Sequence, residues 1–146
     1  MHMALDGDGL RIRPCAAGEV EAVLDLWREA GAVPSVSDDA SVLRDLLARD
    51  VEALLVAEVS CRLVGSLIAA WDGWRGHMYR LAVVNEFRRR GIARALVAEG
   101  EQRLRARGAR RISVLVLEAE KGAMAFWNAA GYNFDRRIAR FARTIT

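Results

Sequence analysis

The sequence is poor in the residues that build disulfide frameworks, linkers and membrane spans. It has two cysteines, Cys15 and Cys61, too few for a disulfide scaffold or a zinc cluster, so we expect reduced thiols and no metal site. Two prolines leave no Pro-rich linker. The uncharged, mostly apolar runs 63–71 and 122–134 are both well short of the ~20 residues that span a bilayer, and no basic segment followed by an apolar one marks a signal peptide. We therefore expect a cytoplasmic protein without a membrane partner.

Lysine is also scarce, and charge is spread unevenly along the chain. Of the 22 basic residues, only Lys121 is lysine, and the net charge is +3. Such an arginine bias is explained most simply by a GC-rich bacterial genome. The overall basicity is therefore weak evidence for binding of nucleic acid. The segment 88–111 is different, because it holds nine arginines and two acids, a net charge of 9 − 2 = +7. This local excess predicts that one stretch of the chain faces an anion.

What the sequence does contain is enough apolar material for one large core. With 146 residues and 53% hydrophobic content, we expect a single domain over 1–146, in which 1–9 are flexible or derived from cloning. The fold class is α/β or α+β, with four helices and a mixed, mostly antiparallel sheet of six to seven strands in the order β-α-α-β-β-β-α-β-α-β(-β). The pattern predicts strands at 10–13, 53–59, 62–71, 77–84, 112–117 and within 134–145, and helices at 20–31, from a cap at Ser37 or Asp38, at 91–107 and at 121–130.

The sharpest local feature is the junction between the strand 77–84 and the helix 91–107. Three arginines precede Gly91, and Ala93 and Arg94 follow in the first helical turn. The first turn of a helix has free N–H groups and the positive end of the helix dipole, and both favour a phosphate or pyrophosphate. The junction is neither a Walker loop nor a Gly-x-Gly-x-x-Gly fingerprint. The alternative is that these arginines only solubilise the start of the helix.

Residues 88–93 are similar to the Arg/Gln-x-x-Gly-x-Gly/Ala signature of the GCN5-related N-acetyltransferase (GNAT) superfamily, and the order of elements agrees along nearly the whole chain. The resemblance is to small, stand-alone bacterial members. It implies acetyl-CoA as cosubstrate, held by the opened edge of the strand 77–84 and by the amides of 89–94, and an acetyl group passed to a primary amine by direct attack in a ternary complex. The residues that it implies for binding acetyl-CoA are Leu81, Ala82, Val83, Arg88, Arg89, Arg90, Gly91, Ile92, Ala93, Arg94, Glu120 and Trp127.

The sequence departs from the family where a catalytic acid is often found. Trp127 occupies the usual tyrosine position, and an indole N–H can donate a hydrogen bond but cannot release a proton at neutral pH. Tyr132 stands where the family usually has phenylalanine, so it is either a substitute acid or a core ring. Glu120 replaces an asparagine that many members carry.

Four residues are candidates for the base that deprotonates the amine. Glu118, at the end of the strand 112–117, is the first choice, acting directly or through a water. Glu120, His77 and Asp72 remain open, and Tyr79 could line the acceptor channel. Each acid could equally be a solvated surface charge.

Two other functions are compatible with the sequence. A catalytically weak acyl-CoA-binding sensor of the same fold would bind CoA without turnover, and Trp127 favours that reading. A nucleic-acid module would need stacking aromatics among the arginines of 88–111, where Phe87 alone is nearby, so we expect no nucleic-acid partner. The acceptor amine is not specified. Small members of the family often pair, so a homodimer is one expected assembly.

Overall fold

The computed structural model describes residues 9–146, so the expectation for 1–9 falls almost entirely outside the described residues. The described chain divides into two compact units, one ending at Val114 and one from Leu115 to Thr146. Strands and helices follow in the order β1 (Arg11–Pro14), α1 (Val20–Glu29), α2 (Ala40–Arg49), β2 (Leu54–Val59), β3 (Arg62–Trp71), β4 (Gly76–Val83), α3 (Ile92–Ala106), β5 (Ile112–Val114) and α4 (Lys121–Ala129). In the part described, no helix is long and apolar enough to cross a membrane.

The first unit contains one mixed sheet. Its strands lie in the order β1-β2-β3-β4-β5, and every pair is antiparallel except the parallel pair β4–β5. The predicted class and the predicted order of elements up to α4 are therefore confirmed. The number of strands is not, because the described chain forms five rather than six or seven.

The prediction of strands within 134–145 is wrong, and local chemistry explains why. The Asp135 carboxylate accepts a hydrogen bond from the Arg137 amide at 3.0 Å, which bends the backbone at the start of this segment. Ile138 and Phe141 are three residues apart, so a strand would direct them to opposite faces. Ile138, Phe141 and Ile145 are all exposed. The strand predicted at 112–117 also ends early, at Val114.

The helices α1 and α3 contact opposite faces of the sheet. A Cβ at Gly100 of α3 would lie 2.9 Å from the Leu67 side chain and 3.0 Å from that of Met78, so α3 packs closely on the face that carries these residues. On the other face, Trp27 of α1 donates a hydrogen bond to Ser66 of β3. Because side chains alternate between faces along a strand and paired residues share a face, His77 lies on the α1 face with Ser66.

Helix α2 begins later than the sequence indicated. Its N-cap is Asp39, whose carboxylate accepts from the amides of Ser41 at 2.8 Å and Val42 at 3.2 Å, and neither Ser37 nor Asp38 takes that role. Three adjacent polar residues compete for the cap, and a propensity argument ranks them almost equally. Asp38 instead forms an ion pair elsewhere in the first unit.

The β2–β3 hairpin turns at Ser60-Cys61, the two residues that lie between the predicted strands 53–59 and 62–71. Both residues have positive φ, 49° and 66°, as a type I′ turn requires. Asparagine and glycine favour this conformation far more than serine and cysteine do, so the turn holds backbone strain.

Replacing Ser60-Cys61 by Asn-Gly is expected to raise the free energy of unfolding by about 1 kcal/mol, since the strain is relieved at both positions. Thermal unfolding should show a midpoint higher by roughly 2–4 °C. The double variant Ser60→Ala/Cys61→Ala keeps the strain and should show no gain. A gain of the same size in that variant would contradict the explanation.

Candidate active site

The N-terminus of α3 presents amide groups without partners. Gly91 is the N-cap, with φ 82°, and its position has no side-chain cap. The first turn contains no acidic residue, so the positive end of the helix dipole is not neutralised locally. Arg89 also has a positive φ, 64°, after the negative φ of Arg88. When the sign of φ alternates between neighbouring residues, their N–H groups turn toward one point. Within residues 9–146, no acceptor bonds the amides of 91–94.

Exposed guanidinium groups surround this helix start. Arg89, Arg90 and Arg94 are exposed, and none of them takes part in the ion pairs of the described chain. The Cζ atom of Arg90 lies 4.9 Å from the centre of the Phe87 ring, a cation–π distance that leaves its N–H groups available. Positive side chains and unpartnered amides therefore coincide, as a site for a diphosphate requires.

Arg88 has a different role from its neighbours. Its Nε donates to the Val83 carbonyl at 2.9 Å and its Nη2 donates to the Ala30 carbonyl at 3.0 Å. The side chain thus joins the end of β4 to the C-terminus of α1. Arg88 fixes the loop that carries the free amides, and we assign to it the positioning of that loop rather than the neutralisation of a ligand.

The strand β4 has a free edge over its second half. Gly76 donates its amide to the Arg111 carbonyl at 3.0 Å, and the pairing with β5 ends at Met78 and Val114. In the part of the chain described, no strand pairs with 79–83 along this edge. An extended chain could therefore bond to β4 as an additional strand.

The residues whose amides face this edge follow from the pairing with β3. Val84 donates to the Val64 carbonyl at 3.0 Å, so its amide faces β3. Successive residues of a strand direct their amides to opposite edges, so Ala82 faces β3 too, and Leu81 and Val83 face the free edge.

A β-bulge in β4 produces this arrangement. Between the pairs Ile68–Tyr79 and Ser66–Ala82, β4 has two residues where β3 has one. The first of the two, Arg80, has φ 55°. The extra residue inverts the alternation, since the edge-facing residues are even-numbered before the bulge and odd-numbered after it. The bulge was not among the predicted features. An arginine inside a strand otherwise free of charge was its only signal.

Three residues predicted near the acceptor lie together at the start of β4. The Asp72 carboxylate accepts from the amides of Trp74 at 2.8 Å and Arg75 at 2.7 Å, and its other oxygen lies 3.0 Å from His77 Nε2. The Arg75 amide first, and then His77, lower the pKa of Asp72 to about 2, so this carboxylate is ionised at every working pH. The His77 ring stacks on Tyr79 with centroids 6.3 Å apart.

The other predicted site residues belong to the second unit. Trp127 of α4 is buried, and its ring meets that of Tyr132 edge-on at 5.0 Å and that of Phe126 at 5.3 Å. Glu118 and Glu120 are exposed, and Glu120 precedes α4 without capping it through its side chain. The aromatic cluster gives Trp127 and Tyr132 a packing role within this unit.

Comparison with known proteins decides the family. Residues 20–132 match the model of the acetyltransferase (GNAT) family. The chain belongs to the GNAT family. An acetyltransferase of Yersinia enterocolitica is 33% identical to this GNAT chain over 136 residues, which are 93% of this chain and 96% of the relative. The GNAT protein is therefore an acyltransferase.

Solved structures agree with the GNAT fold. An aminoglycoside acetyltransferase from an uncultured soil metagenomic sample is 28% identical, with a TM-score of 0.72, and the match covers 94% of this chain and 99% of that one. The PaiA N-acetyltransferase of Thermoplasma acidophilum in complex with coenzyme A is 15% identical, with a TM-score of 0.75 over 86% of this chain and 91% of that one. The second likeness concerns the fold alone.

Proposed function

We propose that this protein transfers an acetyl group from acetyl-CoA to a primary amine by direct attack within a ternary complex. One observation carries the proposal. Within one unit, the free edge of β4 leads directly to the unpartnered amides at the start of α3. A pantetheine arm needs a row of backbone bonds, and the diphosphate that follows it needs positive charge and N–H donors. The order of these two features along the chain matches the order of the two groups in coenzyme A.

The relatives support both halves of the proposal. Two solved neighbours, PaiA and an aminoglycoside N-acetyltransferase, are in complex with coenzyme A, and a further neighbour is also an aminoglycoside acetyltransferase. The groups proposed to hold acetyl-CoA in this chain are the backbone N–H groups of Leu81, Val83 and 91–94, together with the guanidinium groups of Arg89, Arg90 and Arg94. The amide of Ala82 faces β3, so Ala82 serves only to separate the edge-facing residues Leu81 and Val83. Ile92 and Ala95 are buried and anchor the helix.

The transfer requires two proton movements. The acceptor ammonium gives a proton to a base, and the resulting amine nitrogen forms a bond to the thioester carbon while the carbonyl electron pair moves to oxygen. The amide of Leu81 faces the edge on which the thioester would lie and can donate to that oxygen. Collapse then breaks the C–S bond and releases the thiolate, which receives a proton. No covalent enzyme intermediate is needed.

For the base, the geometry adds a candidate to Glu118. The Nε2–H of His77 donates to the ionised Asp72 carboxylate, which fixes the ring and stabilises the imidazolium that forms when the other ring nitrogen takes a proton. His77 lies on the face of the sheet that carries Tyr79 and precedes the bulge by three residues. Among residues 9–146, no ion pair fixes Glu118, which is exposed. We therefore place His77 first and keep Glu118 as the alternative.

For the acid, Trp127 and Tyr132 remain proposals. The indole of Trp127 can donate to the leaving sulfur but cannot protonate it. The phenol O–H of Tyr132 can both donate to the sulfur and release its proton. If neither acts, water protonates the thiolate. This step is the one in which the chain departs most from the family pattern, and it favours the second candidate function, a sensor that binds acyl-CoA with little turnover.

The first experiment measures acetyl-CoA binding by calorimetry and thiol release with a panel of amines: a polyamine, an aminoglycoside, a lysine peptide and a peptide with a free N-terminus. We expect binding, and thiol release above the rate of hydrolysis with at least one member. Binding without release from any amine would favour the sensor. Absence of binding would contradict both functions.

A further inference from the structure

A buried chain of hydrogen bonds ends at the bulge of β4. Trp27 Nε1 donates to Ser66 Oγ at 2.8 Å, and Ser66 Oγ donates to the Arg80 carbonyl at 2.8 Å. Ser66 is completely buried and Trp27 is 3% exposed. A serine hydroxyl has one proton, so a hydroxyl that accepts from tryptophan and donates to a carbonyl has its direction fixed.

The direction of the Arg80 carbonyl sets the direction of the next amide. In a trans peptide, the C=O and N–H bonds point in opposite directions across the same plane. The Arg80 oxygen points to Ser66 on β3, so the N–H of Leu81 points away from β3, toward the free edge. The alternation of amides along β4 led independently to the same orientation.

We propose that Ser66, oriented by Trp27, is a positioning residue that holds the Arg80–Leu81 peptide so that the Leu81 N–H is aimed at the oxygen of the thioester. The inference rests on the proposed function. Its physical basis is preorganisation: a donor already fixed where negative charge develops needs no reorganisation during the reaction. The chain of bonds also polarises the peptide, since each hydrogen bond strengthens the next in a buried environment.

The side chain of Arg80 holds the same residue from the other end. Its guanidinium donates to both oxygens of Asp38 and to the Val33 carbonyl, and its Cζ lies 5.2 Å from the Trp27 ring. Arg80 is therefore held in its positive-φ conformation by its side chain and its carbonyl together. Because the ion pair with Asp38 persists in a Ser66 variant, the bulge should survive while the orientation of its peptide loosens.

The test compares Ser66→Ala and Trp27→Phe with the wild-type protein. We expect Ser66→Ala to lower kcat by about 10- to 100-fold and Trp27→Phe by less, with the KM for acetyl-CoA changed by less than about threefold, because the lost contribution is made mainly in the transition state. Val23 is completely buried on α1, the helix that carries Trp27, so Val23→Ala, which creates a packing defect there, is the control for stability. It should lower the melting temperature without lowering kcat at a temperature where it is folded.

A second measurement separates positioning from loss of packing. The carbonyl stretch of ¹³C-labelled acetyl-CoA, bound without amine, reports the hydrogen bond to its oxygen. We expect a shift to lower frequency on binding to the wild-type and Val23→Ala proteins, and a smaller shift with Ser66→Ala. Equal shifts and equal kcat values would overturn the inference while leaving acetyl transfer intact. Failure of the wild-type protein to bind acetyl-CoA would overturn both.

Discussion

Replacing Gly91 by aspartate is expected to weaken acetyl-CoA binding by about 100-fold or more, while replacing it by asparagine weakens binding far less. A carboxylate at the N-cap of α3 would stand against the diphosphate at a distance where each charge pair costs on the order of 1–2 kcal/mol. Asparagine has the same shape without the charge. Both residues adopt positive φ more readily than other side chains, so they share the backbone cost at φ 82°.

The Gly91 pair also separates binding from folding. A Cβ at this position meets no other atom within 4 Å, and a negative charge favours the N-terminus of a helix. Gly91→Asp should therefore be as stable to heat as Gly91→Asn while binding less acetyl-CoA, as calorimetry and thermal unfolding can show. Equal affinities of the two variants would mean that the diphosphate lies elsewhere.

Replacing His77 by glutamine is expected to lower kcat by about 100-fold, because the amide can keep the bond to Asp72 but cannot take a proton at neutral pH. Asp72→Asn should lower kcat by a smaller factor, since the ring keeps a polar partner but loses the carboxylate charge that stabilises the imidazolium. Binding of acetyl-CoA should be unchanged in both variants.

Glu118→Gln is the matched control for His77. Like His77→Gln, it replaces a titratable group by an amide of similar size. We expect kcat to change by less than about threefold. A large fall in kcat for Glu118→Gln, together with an unchanged kcat for His77→Gln, would assign the role of base to Glu118. The Asp72–His77 pair would then have a structural role.

The fold could be predicted from sequence where one signal dominated. Helix α3 begins one residue after the predicted start. Two signals place its N-terminus at the same point: Gly91, which follows three arginines, and the apolar stripe that begins after it. The cap of α2 was misplaced because Asp38 and Asp39 have the same propensity, and the distant Arg80 decides between them. The C-terminal strands were wrong because the apolar residues of 134–145 alternate poorly, so no single face of a strand would be apolar.

The candidate site divides in the same way. Backbone sites depend on where a strand ends and a helix begins, and the sequence indicates both, so the region around Gly91 could be found without coordinates. The role of Arg88 could not, because its partners are carbonyls of Val83 and Ala30 that no side-chain pattern reveals. Ser66 was invisible for the same reason, since a lone serine in an apolar strand has no partner until the sheet is assembled.

The bulge in β4 restricts how the length of this strand can vary among related proteins. Inserting or deleting one residue between Arg80 and Val83 would turn the Leu81 and Val83 amides toward β3 and bring those of their neighbours outward, with every following side chain moved to the opposite face. An insertion or deletion of two residues would preserve the directions of the amides and the faces on which the side chains lie. Gaps in this stretch are therefore expected to come in even numbers, and an odd gap would mark a descendant that no longer handles a thioester in this way.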